Sequence, residues 1–535
     1  MRRFGSIFPF LEAGPRERHI GRLVANHDFV KAVLRYGEFD EFVFSNTSRR
    51  NLALFRETAE QWGVPADQLA RVRCVTYPEL PGVIARDDFE VFHLGGWGWM
   101  LAGLHYLRSR YAPVAWPITA VIHSLNGRDV IDHAVRVSHA QLAPQDAIFC
   151  TSRAGLEAMR RLLEGGARIA GRSFAGQLVH LPLAIDDDLL EAGGDRERGR
   201  ARLRIPSDAV VLLALGRITP AQKMDLGPLC RVLAQRVIPA SRVPVVLLLA
   251  GGASPQDLTL AKGIVAGHGL DEHVRVFPNF PLKDKADVFA MSDILVSPVD
   301  NTQETFGLSL LEGMAAGLPV VASRFDGYKD LVEDGVDGFL IDTWWSEHDP
   351  MEEWFDLMDP DISQLFQSQG VATDLDQLAT CLIDLVGDPA RRRAMGSAGK
   401  AKVEAGYRWS RVIPRYQQAW TRLRAQAGQP SGGRENPYCL GPNRIFGAFA
   451  SHLLQRDTLV RATATVVDEP AYSETAALLD PTLLSRILVA ATGTTTVGEL
   501  IDEAGGAAAP AWFAVQWLLK YGFLSIAENA SHPTA

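Results

Sequence analysis

Residues 297–341 read SPVDNTQETFGLSLLEGMAAGLPVVASRFDGYKDLVEDGVDGFLI. Ile294 to Ser297 closes an apolar run of strand type, and Leu308 to Ala316 is rich in the helix formers Leu, Ala, Met and Glu. Gly317 stands where a helix C-terminus favours a left-handed residue, Pro319 prevents continuation, and Val320 and Val321 open another short strand. A strand, loop, helix, strand unit of this kind builds parallel sheets. The loop Gln303-Glu304-Thr305-Phe306-Gly307 therefore runs onto a helix N-terminus, whose free amides and positive dipole end suit an anion. Gly307 has no Cβ, so a phosphate can approach its backbone. Glu304 and Glu312 are spaced so that both can face one crevice. Two acidic acceptors beside an anion cradle suit a polyol carrying phosphate, a nucleotide sugar. The plainer alternative makes Glu304 a helix cap and Glu312 a solvated helix residue.

The surrounding residues resemble a known signature. Glu-x7-Glu within ETFGLSLLEGMAAGLPVVAS, followed by DG and DGVDGFLI, is similar to the donor site of the retaining glycosyltransferases of family 4, the glycogen-synthase-like group 1 enzymes. The resemblance implies an α/β chain of GT-B architecture, two Rossmann-like domains facing across a cleft. It implies that Glu304 holds hydroxyls of the donor sugar and Glu312 the ribose. Phe306, Gly307 and Leu308 are then expected to cradle phosphate through their backbone. Upstream, an apolar strand at Val210 to Leu215 leads into Gly216-Arg217 and then Lys223. Relatives carry a similar Arg and Lys, which implies two cations on the donor diphosphate. The Pro278-Asn279-Phe280 turn matches one that contacts the nucleotide base, and His123 matches a histidine that faces the donor sugar. The implied co-substrate is a nucleotide-diphosphate sugar, with no metal and no other cofactor. One departure is Tyr328-Lys329-Asp330, where many members have a glycine-rich turn followed by Glu.

Composition sets the bounds. With 535 residues, 47% hydrophobic and 22% charged, the chain has the length for two or three domains and the apolar content for a core. A net charge of −9 argues against a nucleic-acid binder. The five cysteines are scattered with no ligand-type spacing, so reduced thiols and a cytoplasmic setting are expected. No apolar run of spanning length occurs. Peripheral contact with the inner membrane face stays open.

Alternating strands and helices run through the amino-terminal half, with strands expected at Phe4 to Phe8, Phe42 to Ser45, Val72 to Thr76 and Phe89 to His93. Gly95-Gly96-Trp97-Gly98-Trp99 follows the last of these; Trp97 and Trp99 either stack an acceptor or pack in the core. His123 leaves the strand of Ile118 to Leu125. The Asp186-Asp187-Asp188 triplet resembles a metal site of the other glycosyltransferase fold but fits a solvated cap better. Arg196 to Arg204, RERGRARLR, reads as a solvated helix face. The acidic, aromatic insert Trp344 to Gln369 is expected to cover either the cleft or an interface.

Beyond the linker at residues 429–433, Tyr438 to Ala535 falls outside the resemblance. Helices at Leu483 to Ala491, Val497 to Ala504 and Ala511 to Tyr521, then a strand, suggest a small helical domain of winged-helix type. Its five Lys/Arg against nine Asp/Glu point to protein contact or self-association rather than DNA. The expected domains are 1–188 for the acceptor, 189–428 for the donor and 438–535 as an accessory. The expected activity is hexosyl transfer from the nucleotide sugar to a glycan, lipid or protein acceptor. The rival readings are a non-catalytic sugar-nucleotide-binding or scaffold protein, and a GT-B phosphorylase or epimerase.

Overall fold

A computed structural model describes residues 1–7, 21–188, 193–348, 353–429, 432, 433, 435–505 and 508–527. Two parallel sheets dominate. The first contains β1 (Arg3–Ile7), β2 (Glu41–Asn46), β3 (Val72–Thr76), β4 (Val91–Leu94), β5 (Ile118–Val121), β6 (Ala147–Cys150) and β7 (Gln177–His180), in the order β3-β2-β1-β4-β5-β6-β7. The second contains β8 (Val210–Leu215), β9 (Val245–Gly251), β10 (Val274–Pro278), β11 (Ile294–Ser297), β12 (Val320–Ser323) and β13 (Gly338–Ile341), in the order β10-β9-β8-β11-β12-β13. Strands such as VVLLAL at β8 are buried along their whole length because helices cover both faces. Both sheets reverse direction beside their first strand, β1 next to β4 and β8 next to β11. In doubly wound sheets such a switch point opens a crevice at the carboxyl ends of the strands. The switch at β8/β11 brings together two loops far apart in sequence, 216–223 and 298–307. Of the expected first strand, Phe8 lies outside the described residues.

The last helix of the two-sheet body, Trp409–Arg424, crosses to the first domain. Tyr416 and Trp420 are fully buried there among Phe4, Phe29, Phe39 and His93. The Trp420 Nε1–H donates to Thr119 Oγ1 at 3.2 Å, and Gly428 pairs with Ala115. The expected 189–428 segment thus ends in a helix that packs with the amino-terminal sheet.

Two charged stretches expected to be solvated are so at most positions, with Arg196, Glu197, Arg198, Arg202, Arg204 and Asp188 exposed, but single residues in each are drawn inward. Arg200 of the RERGRARLR helix is buried, donating to the carbonyls of Met291, Ser207 and Ala209 and to Asp293 at 2.8 Å. Arg198 pairs with Asp287. The helix lies on Lys285–Ala290, whose carboxylate and loop carbonyls need donors. In the Asp triplet, Asp186 and Asp188 take Lys31 Nζ at 2.5 and 2.7 Å, and Asp188 also takes Arg35. Asp187 accepts from Ser410. These carboxylates tie the inter-domain turn to Gly21–Tyr36 and to the returning helix.

The carboxyl-terminal region has its own core, including Leu484, Ile487, Leu500, Ala514 and Leu518. Helices Pro481–Ala490, Val497–Glu503 and Ala508–Lys520 pack with a three-stranded antiparallel sheet. The Leu459–Ala462 strand is central, between Thr495–Thr496 and Leu524–Ile526. The first two strands were not expected, being too short to show alternation. Among the described residues no helix is long and apolar enough to cross a membrane.

Removing the indole that joins the returning helix to the first sheet leaves a large cavity. Trp420→Ala is expected to lower unfolding stability by about 3–5 kcal/mol, measured by chemical denaturation.

Candidate functional site

The site is built at the β8/β11 switch. β8 ends at Gly216, whose φ of +146° and missing Cβ leave room for the Lys223 stem; a Cβ there would lie 2.9 Å from Lys223 Cε. Lys223 is folded back by its own turn, its amide donating to Thr219 O at 3.1 Å. Its ammonium donates to Glu304 Oε2 at 3.0 Å and to Tyr328 Oη at 3.0 Å. Arg217, beside it, donates to Gln222 Oε1 and packs its Cγ against Gly252.

From β11, the chain reaches Glu304, whose Oε1 accepts from the Phe306 amide at 3.4 Å. Burial by itself would raise the Glu304 carboxyl, but the Lys223 ammonium and the Phe306 and Gly307 amides overcome this and hold it below its usual value. Burial likewise opposes the Lys223 charge, and Tyr328 and Glu304 reverse that, leaving its pKa raised. Both groups are therefore ionised at neutral pH.

Gly307 has φ +111° and precedes the helix Leu308–Ala315. A Cβ at Gly307 would strike the Tyr328 ring at 2.6 Å, so the glycine is required by packing as well as by conformation. At the helix entrance the Leu308 and Ser309 amides have no partner among the described residues, and neither does the buried Ser309 hydroxyl. These donors sit on the dipole end of the helix, next to Lys223, and suit an oxyanion.

Glu312, one turn further in, is ion-paired with Lys285. The solvated alternative is thus excluded in this conformation, and a ribose would share this carboxylate with Lys285. Phe280 stacks on Phe277 at 5.3 Å, and Asn279, at φ +50°, ties the turn to Ala253 in both directions.

The first domain meets the Glu304 loop directly. Thr305 Oγ1 donates to His123 O at 2.5 Å, and Ser152 Oγ donates to Thr305 O at 2.6 Å. Ser152 also caps Arg153–Ala170. The His123 Nε2–H is shared by Asn26 Oδ1 and Gly95 O, both at 3.0 Å. Burial lowers the His123 pKa to about 4, so the ring is neutral at physiological pH. It is held as a donor through Nε2, which fits shaping a pocket and not supplying a charge.

Of the two outcomes open for the tryptophans, packing in the core is the one found for Trp97. Trp97 is 5% exposed, packed in the first domain's core and edge-on to His133, so it offers no face to a sugar. Trp99 opens the helix Trp99–Tyr111, and its side chain lies outside the described residues. The Gly-rich loop serves the site instead through Gly95 O, which accepts from both His123 and Asn26.

Described parts of the acidic insert contact the loops that follow β5, β11 and β12. Thr302 Oγ1 donates to Gln367, Arg128 donates to Met358 O, and Trp345 packs on Phe325. These contacts reach both domains and three loops of the site.

A family model described as glycosyl transferases group 1 matches residues 195–349, the region holding Arg217, Lys223, Glu304 and Glu312. D-inositol 3-phosphate glycosyltransferase 1 of Catenulispora acidiphila is 29% identical over 366 residues, covering 66% of this chain and 75% of that protein. The D-inositol 3-phosphate glycosyltransferase of Saccharomonospora viridis is 36% identical over 168 residues, 31% of this chain and 37% of its own length. Sucrose-phosphate synthase from Thermosynechococcus elongatus superposes with TM-score 0.53 at 19% identity, covering 79% of this chain and all of that one. Anabaena HepE, solved with UDP-glucose, gives TM-score 0.52 at 17% identity and the same coverage. The chain is a GT-B glycosyltransferase.

The candidate site of this glycosyltransferase contains residues that motif spacing does not reveal. Lys285 and Asn26 are supplied by topology, from segments with no signature of their own. Tyr328 stands at the departure from the family pattern, fully buried, with its hydroxyl also 2.9 Å from Ser297 Oγ. Burial pushes its phenol up to about 12, so it stays neutral and bridges Lys223 to the β11 end. Tyr328→Phe keeps the ring on Gly307 but removes one acceptor from the ammonium. It is expected to lower donor turnover, as kcat/KM, by roughly tenfold or more, since hydrogen bonds to charged groups contribute about 1.5–3 kcal/mol. Steady-state kinetics with a matched melting temperature checks this.

Proposed function

We propose that this glycosyltransferase moves a hexosyl unit from a nucleotide-diphosphate sugar to an acceptor with retention at the anomeric carbon. The observation that carries the reading is the joint placement of Lys223, Glu304 and the open amides of Leu308 and Ser309 at one switch point. The diphosphate sits against the amide end of Leu308–Ala315, with Arg217 and Lys223 turning from Gln222 and Glu304 onto its oxygens. As the sugar–phosphate bond breaks, negative charge grows on the leaving diphosphate. Once seated on these oxygens, the cations and amides stabilise that charge without further reorganisation as the bond breaks. They supply the countercharge that a metal ion provides in other transferases, so the reading is metal-independent.

Glu304, ionised and adjacent, accepts hydrogen bonds from sugar hydroxyls, and Glu312 accepts from the ribose. Phe280 and the Asn279 turn lie against the base. The acceptor attacks from the leaving-group side and its proton passes to the departing phosphate. No side-chain base is then required, in keeping with the neutral, doubly engaged His123. Solved neighbours include complexes with UDP and UDP-glucose, which makes a uridine donor the first to try. The relatives' names make an inositol phosphate the first acceptor. A glycan, lipid or protein acceptor remains within the reading.

Arg217→Ala and Lys223→Ala are each expected to reduce donor turnover by roughly 10²–10³-fold, the size seen when one preorganised donor to a developing oxyanion is lost. Wild-type turnover in the double variant contradicts the assignment. UDP-, GDP- and ADP-sugars are compared by thermal shift. The cognate donor at 100 times its Kd is expected to add about 2.7 kcal/mol of stability.

A further inference from the structure

The turn that carries Tyr328 holds a second carboxyl group, Asp326. It lies against the Glu304 loop: a Cβ on the next residue, Gly327, would come within 2.5 Å of Thr305 O. Asp326 has φ +44°, and its Oδ1 accepts from the Tyr328 amide at 2.9 Å, which sustains the left-handed turn. Its other oxygen, Oδ2, is buried and has no partner among the described residues. An orphaned buried polar atom costs free energy unless a ligand satisfies it.

The neighbouring charges decide what this oxygen is. The Glu304 charge acts on Asp326, and Glu304 is held ionised by Lys223 and the loop amides. Burial first, and then the Glu304 charge, raise the Asp326 carboxyl well above its usual range. The Tyr328 amide, Lys223 and Lys329 oppose this and do not overcome it. In this conformation Lys223 is bonded to Glu304 and Tyr328 rather than to Asp326. Two carboxyls on touching loops thus take opposite roles, one an acceptor and one a hydroxyl donor.

We infer that Asp326 is a specificity-determining residue of the donor site, its carboxyl donating a hydrogen bond through Oδ2 to a hydroxyl of the transferred hexose beside Glu304. This rests on the nucleotide-sugar reading of the site. It assigns the sugar subsite a paired donor and acceptor. A hydroxyl bound there both receives and gives a hydrogen bond, which a deoxy sugar cannot do.

The test compares wild type, Asp326→Asn and Asp326→Gly. Asparagine keeps the turn and still offers a donor, whereas glycine tolerates the positive φ and removes the group. Binding of UDP-glucose, GDP-mannose and ADP-glucose is measured by calorimetry, each beside its free nucleoside diphosphate. For the sugar nucleotide that wild type binds best, Asp326→Gly is expected to weaken affinity about tenfold while the free diphosphate binds unchanged. Asp326→Asn is expected to stay within about threefold of wild type. Wild-type affinity for the sugar nucleotide, relative to the diphosphate, should fall as pH rises through the raised pKa of Asp326, and this fall should be absent in Asp326→Asn. Equal weakening of both ligands in Asp326→Gly shows a structural role and overturns the inference, as does an unchanged sugar-nucleotide affinity. A wild type that binds none of the three donors and none of the diphosphates overturns the functional reading, and the inference with it.

Discussion

One buried ion pair holds the donor end of this glycosyltransferase together. Lys223 reaches Glu304 from the far side of a switch point and is fastened by the Tyr328 hydroxyl. Burying a lone ammonium or carboxylate is costly, and breaking such a pair on one side leaves an uncompensated charge. The loops after β8 and β11 are therefore constrained to stay in register with one another. Gly216 makes space for the lysine stem, Gly307 makes space for the tyrosine ring, and the open helix amides are thereby presented beside a fixed cation.

The rest of the molecule supports that arrangement. The returning helix Trp409–Arg424 locks its aromatic face into the first sheet, while Ser152 and His123 meet Thr305 from the opposite domain. These contacts place the first domain's loop directly against the residue next to Glu304. A change in the approach of the two domains is consequently felt at the Glu304 loop. The insert, anchored at Gln367, Met358 and Trp345, touches the loops that follow β11, β5 and β12.

Much of this was legible in the chain. The helix Leu308–Ala315 and the strands on either side of it follow from periodicity and from Gly317 and Pro319, and the Glu304, Gly307 and Lys223 positions follow from a local signature. What was not legible depends on pairing across the sheet. Lys285 meets Glu312 only because β10 and β11 flank β9 and β8, and Arg200 is buried only because Asp293 and four carbonyls, of Met291, Pro206, Ser207 and Ala209, converge on it. Tyr328 registered as a departure from a glycine-rich turn, with no hint that its ring would fill the space above Gly307. Trp97 was read with two outcomes open, and the core took it. The short strands of the carboxyl-terminal sheet escaped detection because two or four residues carry no usable alternation.

The most direct test is a crystal structure of the protein with a bound nucleoside diphosphate. The account predicts pyrophosphate oxygens within hydrogen-bond distance of the Leu308 and Ser309 amides, with the Lys223 ammonium and the Arg217 guanidinium turned onto them. A diphosphate bound elsewhere, with Lys223 still closed on Glu304 and Tyr328, contradicts it.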